Sequence, residues 1–253
     1  MNKAGCIFLG IFLTGITTIA SPPEKTVLRS SYLDSFLATS ELESISPQAL
    51  ESIDKEYEIL LKYFVKRQEK IKNQTVFLEI VFNKVQEAFL HNYEQYAGFN
   101  DILTSYTFDC ATATALYASF FVDLGIEFEI WETNYHSYIK IRTNENTILL
   151  ESTDRISGFK MGEEAENLEN QYLADNLEGC LYENGINIHR ETSPEEFIGL
   201  LHFNQAVKSY NEGNYLKAMG QIQQAELKYP SDRIFFLKEI IMDRVVLVST
   251  SSL

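Results

Sequence analysis

Cys110, His136 and a carboxylate at Glu151 or Asp154 are the residues whose types and order suit nucleophilic chemistry. A thiol attacks as its thiolate, and the free N–H groups and partial positive charge of a helix N-terminus stabilise that anion. Cys110 falls at such a place. Thr107 or Asp109 can cap a helix whose buried stripe is Leu116, Tyr117, Phe120, Phe121 and Leu124, with Gly125 as its left-handed terminal residue. The small residues Ala111 to Thr114 after the cysteine would let a substrate approach. His136 lies beyond that helix and one strand, at the start of a second strand, where it can act as base. A carboxylate at the end of a third strand would orient the imidazole. Nucleophile, base and orienter from three elements are the parts thiol acyl transfer requires.

The elements that must position them follow from hydrophobic period. After Gly125 the period changes from helical to alternating. Ile126, Phe128 and Ile130 form one strand, and Ile139 and Ile141 alternate with Tyr138, Lys140 and Arg142 in the next. A turn at Asn144 to Asn146 leads to Ile148-Leu149-Leu150. Upstream, Ser46-Pro47 reads as a helix start, with Ile45 and Leu50 as a hydrophobic staple. Two helical stripes follow, Leu50 to Ile71 and Phe77 to Phe89, expected as an antiparallel pair. The expected class is α+β: N-terminal helices packed on an antiparallel sheet, then a C-terminal helical hairpin. From Lys160 to Pro194 the chain turns acidic and irregular and reads as an elaborated loop. Trp131 and Tyr135 flank the strand of His136 and either line a cleft or, by preference, belong to the core, and Asn73-Gln74-Thr75 reads as an incidental sequon.

The order and spacing of these residues resemble the transglutaminase-like branch of the papain-like thiol enzymes. In that family a Cys begins a helix ending in Leu-Gly-Ile or similar. The His opens a strand as His-x-aromatic, and an Asp ends the next strand in an Asp-Pro-Thr-like sequence. Here the matching residues are Cys110, Leu124-Gly125-Ile126, His136-Ser137-Tyr138 and Glu151-Ser152-Thr153. The resemblance covers residues 99 to 160, with Glu for the usual Asp and Tyr138 for the usual Trp. It implies a transglutaminase-like core and a catalytic set of Cys110, His136 and Glu151. Register alone does not choose the third member. A loop of Thr143 to Asn146 puts Glu151 on the face of His136, whereas a loop of Asn144 to Asn146 brings Asp154 there. The resemblance favours Glu151, leaving Asp154 to cap the turn toward Gly158.

Taken singly, a cysteine in an apolar helix is most often a small buried residue, and a histidine on a strand is most often structural. Order, spacing and element placement together favour chemistry. Cys180, His91, His189 and His202 have no such context, and a Cys110–Cys180 disulfide is the plain alternative to a reactive thiol.

Lys3, an apolar run from Cys6 to Ile19 and the small pair Ala20-Ser21 before Pro22 have the layout of a cleavable signal peptide over residues 1–20. The expected location is therefore periplasmic or extracellular, with no membrane span after cleavage and Cys6 lost with the leader. The remainder divides into a transglutaminase-like domain over 21–195 and a helical region over 196–253. In the latter Phe203, Ala206, Tyr210, Gly213, Tyr215, Ala218, Ile222, Ala225 and Pro230 resemble a tetratricopeptide repeat. Such a unit must pack on the main domain or on a protein partner. A net charge of −15 with no Lys/Arg stripe argues against nucleic acid as a partner. No phosphate-cradling loop or metal-ligand spacing appears, so no cofactor and no metal are expected. Two functions fit. One is an exported thiol enzyme acting on amide bonds of peptides or proteins, with hydrolysis favoured over crosslinking. The other is a non-catalytic scaffold that binds a partner through its helical repeat.

Overall fold

A computed structural model describes residues 31–40, 47–180 and 188–251, with the side chains of all of these except 31, 47–54, 176–180 and 248–251. The signal segment, Ile45, Ser46 and Gly185 lie outside the described residues, and so does the side chain of Cys180. No helix among the described residues is long and apolar enough to cross a membrane.

The architecture is α+β, built around one buried helix. Helices α1 (Ser31–Leu37), α2 (Pro47–Gln68), α3 (Gln74–Phe89) and α4 (Phe99–Ser105) surround α5 (Cys110–Leu124). A two-residue parallel pair, β1 (Asn92–Tyr93) with β2 (Thr107–Phe108), leads into α5. Strands β3 (Glu129–Thr133), β4 (Ser137–Arg142), β5 (Thr147–Leu150), β6 (Phe159–Met161) and β7 (His189–Thr192) form one antiparallel sheet in the order β6-β5-β4-β3-β7. Helix α6 (Glu163–Cys180) follows β6, and α7 (Pro194–Asn211), α8 (Tyr215–Lys228) and α9 (Asp232–Ser251) end the described chain.

Helix α5 is apolar nearly all round because its neighbours cover it all round. Tyr57 of α2 stacks on Phe120 at 4.2 Å and donates to Asp123 at 2.8 Å. Tyr117 lies against Phe82 of α3 and donates to its carbonyl at 2.9 Å. Gly125 closes the helix at φ 65, the left-handed terminus expected from the sequence. Of the small residues after Cys110, Ala111 lines the cleft but the next three do not. Thr112, Ala113 and Thr114 are buried, so their small size serves close packing in the core.

Two sheet expectations change. The first strand begins three residues after Ile126, at Glu129. Strand β4 is buried on both faces as far as Ile141, not alternately exposed. The cause is α6, which occupies part of the stretch expected to be a loop. Ala165, Leu168 and Tyr172 of α6 pack on Tyr138, Leu149 and Trp131, while Ile139, Ile141 and Ile148 join the main core. Under this helix Lys140 Nζ donates to both carboxylate oxygens of Glu169, at 2.7 and 2.8 Å. Asn73 of the sequon caps α3, its side-chain Oδ1 accepting the Val76 N–H at 3.0 Å.

The C-terminal helices are part of the same hydrophobic core. Phe197, Leu200, Ala206, Ala218, Ile222, Ala225, Ile234 and Ile241 are continuous with α5 and the sheet. Ala206, Ala218 and Ala225 are fully buried, and Gly213 turns between α7 and α8 at φ 78. Helix α7 starts at Pro194, two residues before the expected helical region over 196–253, because Ser193 and Glu196 form a capping box around it. Asn204 reaches Asp109 at 3.5 Å, and Gln205 donates to the carbonyls of Tyr96 and Ala97 at 3.1 and 3.2 Å.

Candidate active site

Cys110 is the first residue of α5, partly exposed and not in a disulfide. Of the two proposed caps, Asp109 serves. Its carboxylate accepts the Thr112 N–H at 2.7 Å, and the Thr112 hydroxyl accepts the Asp109 N–H at 2.9 Å. Burial pushes the Asp109 carboxyl up, against hydrogen bonds from Thr112, Ala111 and Tyr96 that favour its charge. This closed cap fixes the backbone from which Cys110 projects.

His136 sits at the tip of the β3–β4 hairpin. Thr133 holds that tip: its hydroxyl accepts the N–H groups of Tyr135 and His136 at 3.3 and 2.9 Å, and its own N–H bonds the His136 carbonyl at 2.8 Å. Thr114 of α5 donates to the Ser137 carbonyl at 3.3 Å, tying the hairpin to the helix that carries the nucleophile.

Arg142 pairs with Thr147, so the connection between β4 and β5 is Thr143 to Asn146. Continuing that register sets Glu151 opposite Tyr138, on the face of His136. Glu151 Oε2 accepts from His136 Nε2, and Oε1 accepts the Thr153 N–H and hydroxyl at 2.9 and 2.6 Å. Asp154 is turned away and accepts the N–H groups of Ile156 and Ser157 at 3.0 and 2.8 Å. The turn holding Glu151 closes on Gly158, where a Cβ would lie 2.1 Å from the Glu151 carbonyl and 2.3 Å from that of Asp154. Buried Gln86 braces the same turn, donating to the Ser152 carbonyl at 2.7 Å.

The structure thus brings Cys110, His136 and Glu151 together. Nε2 of His136 faces Glu151, and the imidazole is also hydrogen-bonded to Cys110. Burial pulls His136 down, but the bonds and charges of Cys110 and Glu151 outweigh it and hold the imidazole up to about 10. Burial pushes Glu151 up, and the opposing bond and charge of His136, with Thr153 and Tyr172, hold it down to about 2. The favoured state is carboxylate and imidazolium.

The pair carries a pH signature. His136, held above its ordinary 6.5, adds stability below that value and loses it as pH rises toward about 10. Glu151, held below 4.5, adds stability above that value and loses it as pH falls toward about 2. The stability difference between the wild type and Glu151→Gln should therefore be largest from about 4.5 to 6.5. Urea unfolding across the pH range checks this, and a flat difference would contradict the pairing.

The cleft over Cys110 holds about 140 Å³ and is walled from three sides: Tyr93 and Tyr96 before α5, Tyr135 on the hairpin tip, and Phe203, Asn204 and Arg233 from the C-terminal helices. Tyr135, expected in the core, is 58% exposed here. Trp131 points to the α6 side instead, and its indole donates to Glu129 at 2.9 Å. Beside the cleft, buried Glu132 of β3 pairs with Arg233 and accepts from Tyr229 at 2.8 Å and Thr192 at 3.4 Å. The other histidines make local bonds: His91 to the Glu87 carbonyl, His189 to Tyr138 and His202 to Gln221.

Three contributors escaped the sequence reading. Tyr172 donates to Glu151 Oε2, Thr133 holds the hairpin tip, and Arg233 walls the cleft. Ala165, Leu168 and Tyr172 stand at helical spacing within the acidic stretch, a signal that would have found α6. Comparison of the chain with protein-family models, curated proteins and solved structures gives no match, so what the site does is argued from its geometry.

Proposed function

We propose that the chain is an exported thiol enzyme with a transglutaminase-like core, acting on amide bonds of peptides or proteins. The observation that carries the reading is Cys110 and His136 lining one cleft, with Glu151 behind the imidazole and bonded to its Nε2. The thiol proton resides on His136 as the imidazolium, and the thiolate sulfur of Cys110 attacks the amide carbonyl. The imidazolium then protonates the leaving amine as the carbon–nitrogen bond breaks, leaving a thioester on Cys110. Water, deprotonated by His136, attacks that thioester and releases the acid and the thiol. Water is the default acceptor, which favours hydrolysis over crosslinking. The Cys110 N–H lies in the first helical turn and has no carbonyl partner four residues back. With Gln95 lining the same cleft, it is available to the oxyanion. Glu151 fills the place of the usual Asp, its longer side chain reaching the imidazole from the same register position.

The scaffold reading keeps one observation in its favour. Phe235, Phe236, Met242, Val246 and Leu247 of α9 are exposed apolar side chains, a surface a protein partner would cover.

Alkylation of the folded protein by iodoacetamide separates the two. The enzyme reading expects Cys110 to label at neutral pH faster than the same thiol in the urea-unfolded chain, and His136→Ala to slow it. Labelling no faster in the folded state would refute the enzyme reading and leave the scaffold.

A further inference from the structure

Helix α6 delivers a tyrosine to the back of the candidate site. Lys140 and Glu169 fix the helix one turn before Tyr172, and Ala165 and Leu168 bury its inner face against the sheet. From there the Tyr172 hydroxyl donates to Glu151 Oε2, the same oxygen that accepts from His136 Nε2. Its ring lies 5.2 Å from the imidazole and stacks on Tyr138 at 5.1 Å.

We propose that Tyr172 is a positioning residue: its hydroxyl shares the charge of Glu151 Oε2 with His136 and so sets how firmly the carboxylate holds the imidazolium proton. The inference rests on the proposed thiol site for its use in catalysis, but the hydrogen bond itself does not depend on turnover.

A carboxylate oxygen with two donors gives less of its charge to each. Removing the hydroxyl leaves His136 as the donor at Oε2, and the imidazolium becomes harder to deprotonate. The remaining ionisable groups around the pair stay in place. These are Cys110 and Asp109 on α5 or its cap, Tyr93 on the cleft side, and Tyr138 behind Tyr172, with Glu169 and His189 beyond it. Phenylalanine keeps the ring and its stacking, so Tyr172→Phe isolates the hydroxyl.

The test is the titration of the His136 ring followed by NMR, in the wild type, Tyr172→Phe, Glu151→Gln and the double variant. Tyr172→Phe is expected to raise the His136 midpoint by about half a unit or more. In the Glu151→Gln background the same change should have no further effect, because the shared oxygen's charge is gone. An unmoved midpoint in Tyr172→Phe, or an equal shift in both backgrounds, overturns the proposal and reduces Tyr172 to packing. Iodoacetamide labelling of the same samples keeps the two readings apart. Inert Cys110 with a moved His136 defeats the enzyme and keeps the positioning bond; reactive Cys110 with an unmoved His136 does the reverse.

Discussion

Cys110→Ala should lower acyl-transfer turnover on the order of several thousand-fold or more while leaving the fold intact. The fold is spared because alanine is a good helix former and the cap runs through Asp109 and Thr112, not through the thiol. Turnover is lost because no other thiol stands beside His136 among the described residues; Ser137 is turned into the structure and its hydroxyl meets Thr114 at 3.5 Å. His136→Ala should cost about as much, since a thiol without its base lacks both the proton acceptor and the later acid. Glu151→Gln should cost less, because it disturbs charge and orientation but keeps the nucleophile. A mixed peptide pool read by mass spectrometry supplies substrates, and circular dichroism confirms the fold. Undiminished turnover in Cys110→Ala would remove the thiol mechanism.

Arg233→Met should destabilise the protein by about 3–5 kcal/mol, the usual cost of leaving a buried charge without its partner. Glu132 is only 1% exposed, and beyond Arg233 its partners are the hydroxyls of Tyr229 and Thr192. Without the guanidinium, a carboxylate remains inside the seam between β3 and the C-terminal helices. Adding Glu132→Gln should recover part of the loss, so the double variant costs less than the sum of the singles. Urea unfolding measures all three. Strictly additive costs would mean that the two side chains do not depend on each other.

Local chemistry was the legible part. The helix of Cys110 could be read because its cap, apolar stripe and terminal glycine all lie within about one helix length of sequence. The hairpin strands were legible from alternation, although β3 starts late because Ile126 is buried before pairing begins. What long-range packing decides was not legible. Strand β4 gives the same alternation whether or not a helix covers its second face, so nothing at Tyr138 and Lys140 announced α6. The choice between Glu151 and Asp154 hung on whether Thr143 belongs to the loop. Gly158 fixes the turn after it through backbone atoms that no residue pattern displays. Arg233 lies too far along the chain for spacing to connect it with Cys110.

The cleft wall supplied by the C-terminal helices has a consequence for the order of events at synthesis. Asn204 meets a partner 95 residues behind it and Tyr229 one 97 residues behind it. Contacts across such separations form late, after the loop between them has given up its freedom. A ribosome therefore emits the thiol, the imidazole and the carboxylate well before the helices that wall their cleft. A nascent chain halted short of α7 carries these groups with one side of their cleft unbuilt. The cleft is thus the last part of the site to close, and any event that lifts α7 and α9 off the sheet would open it first.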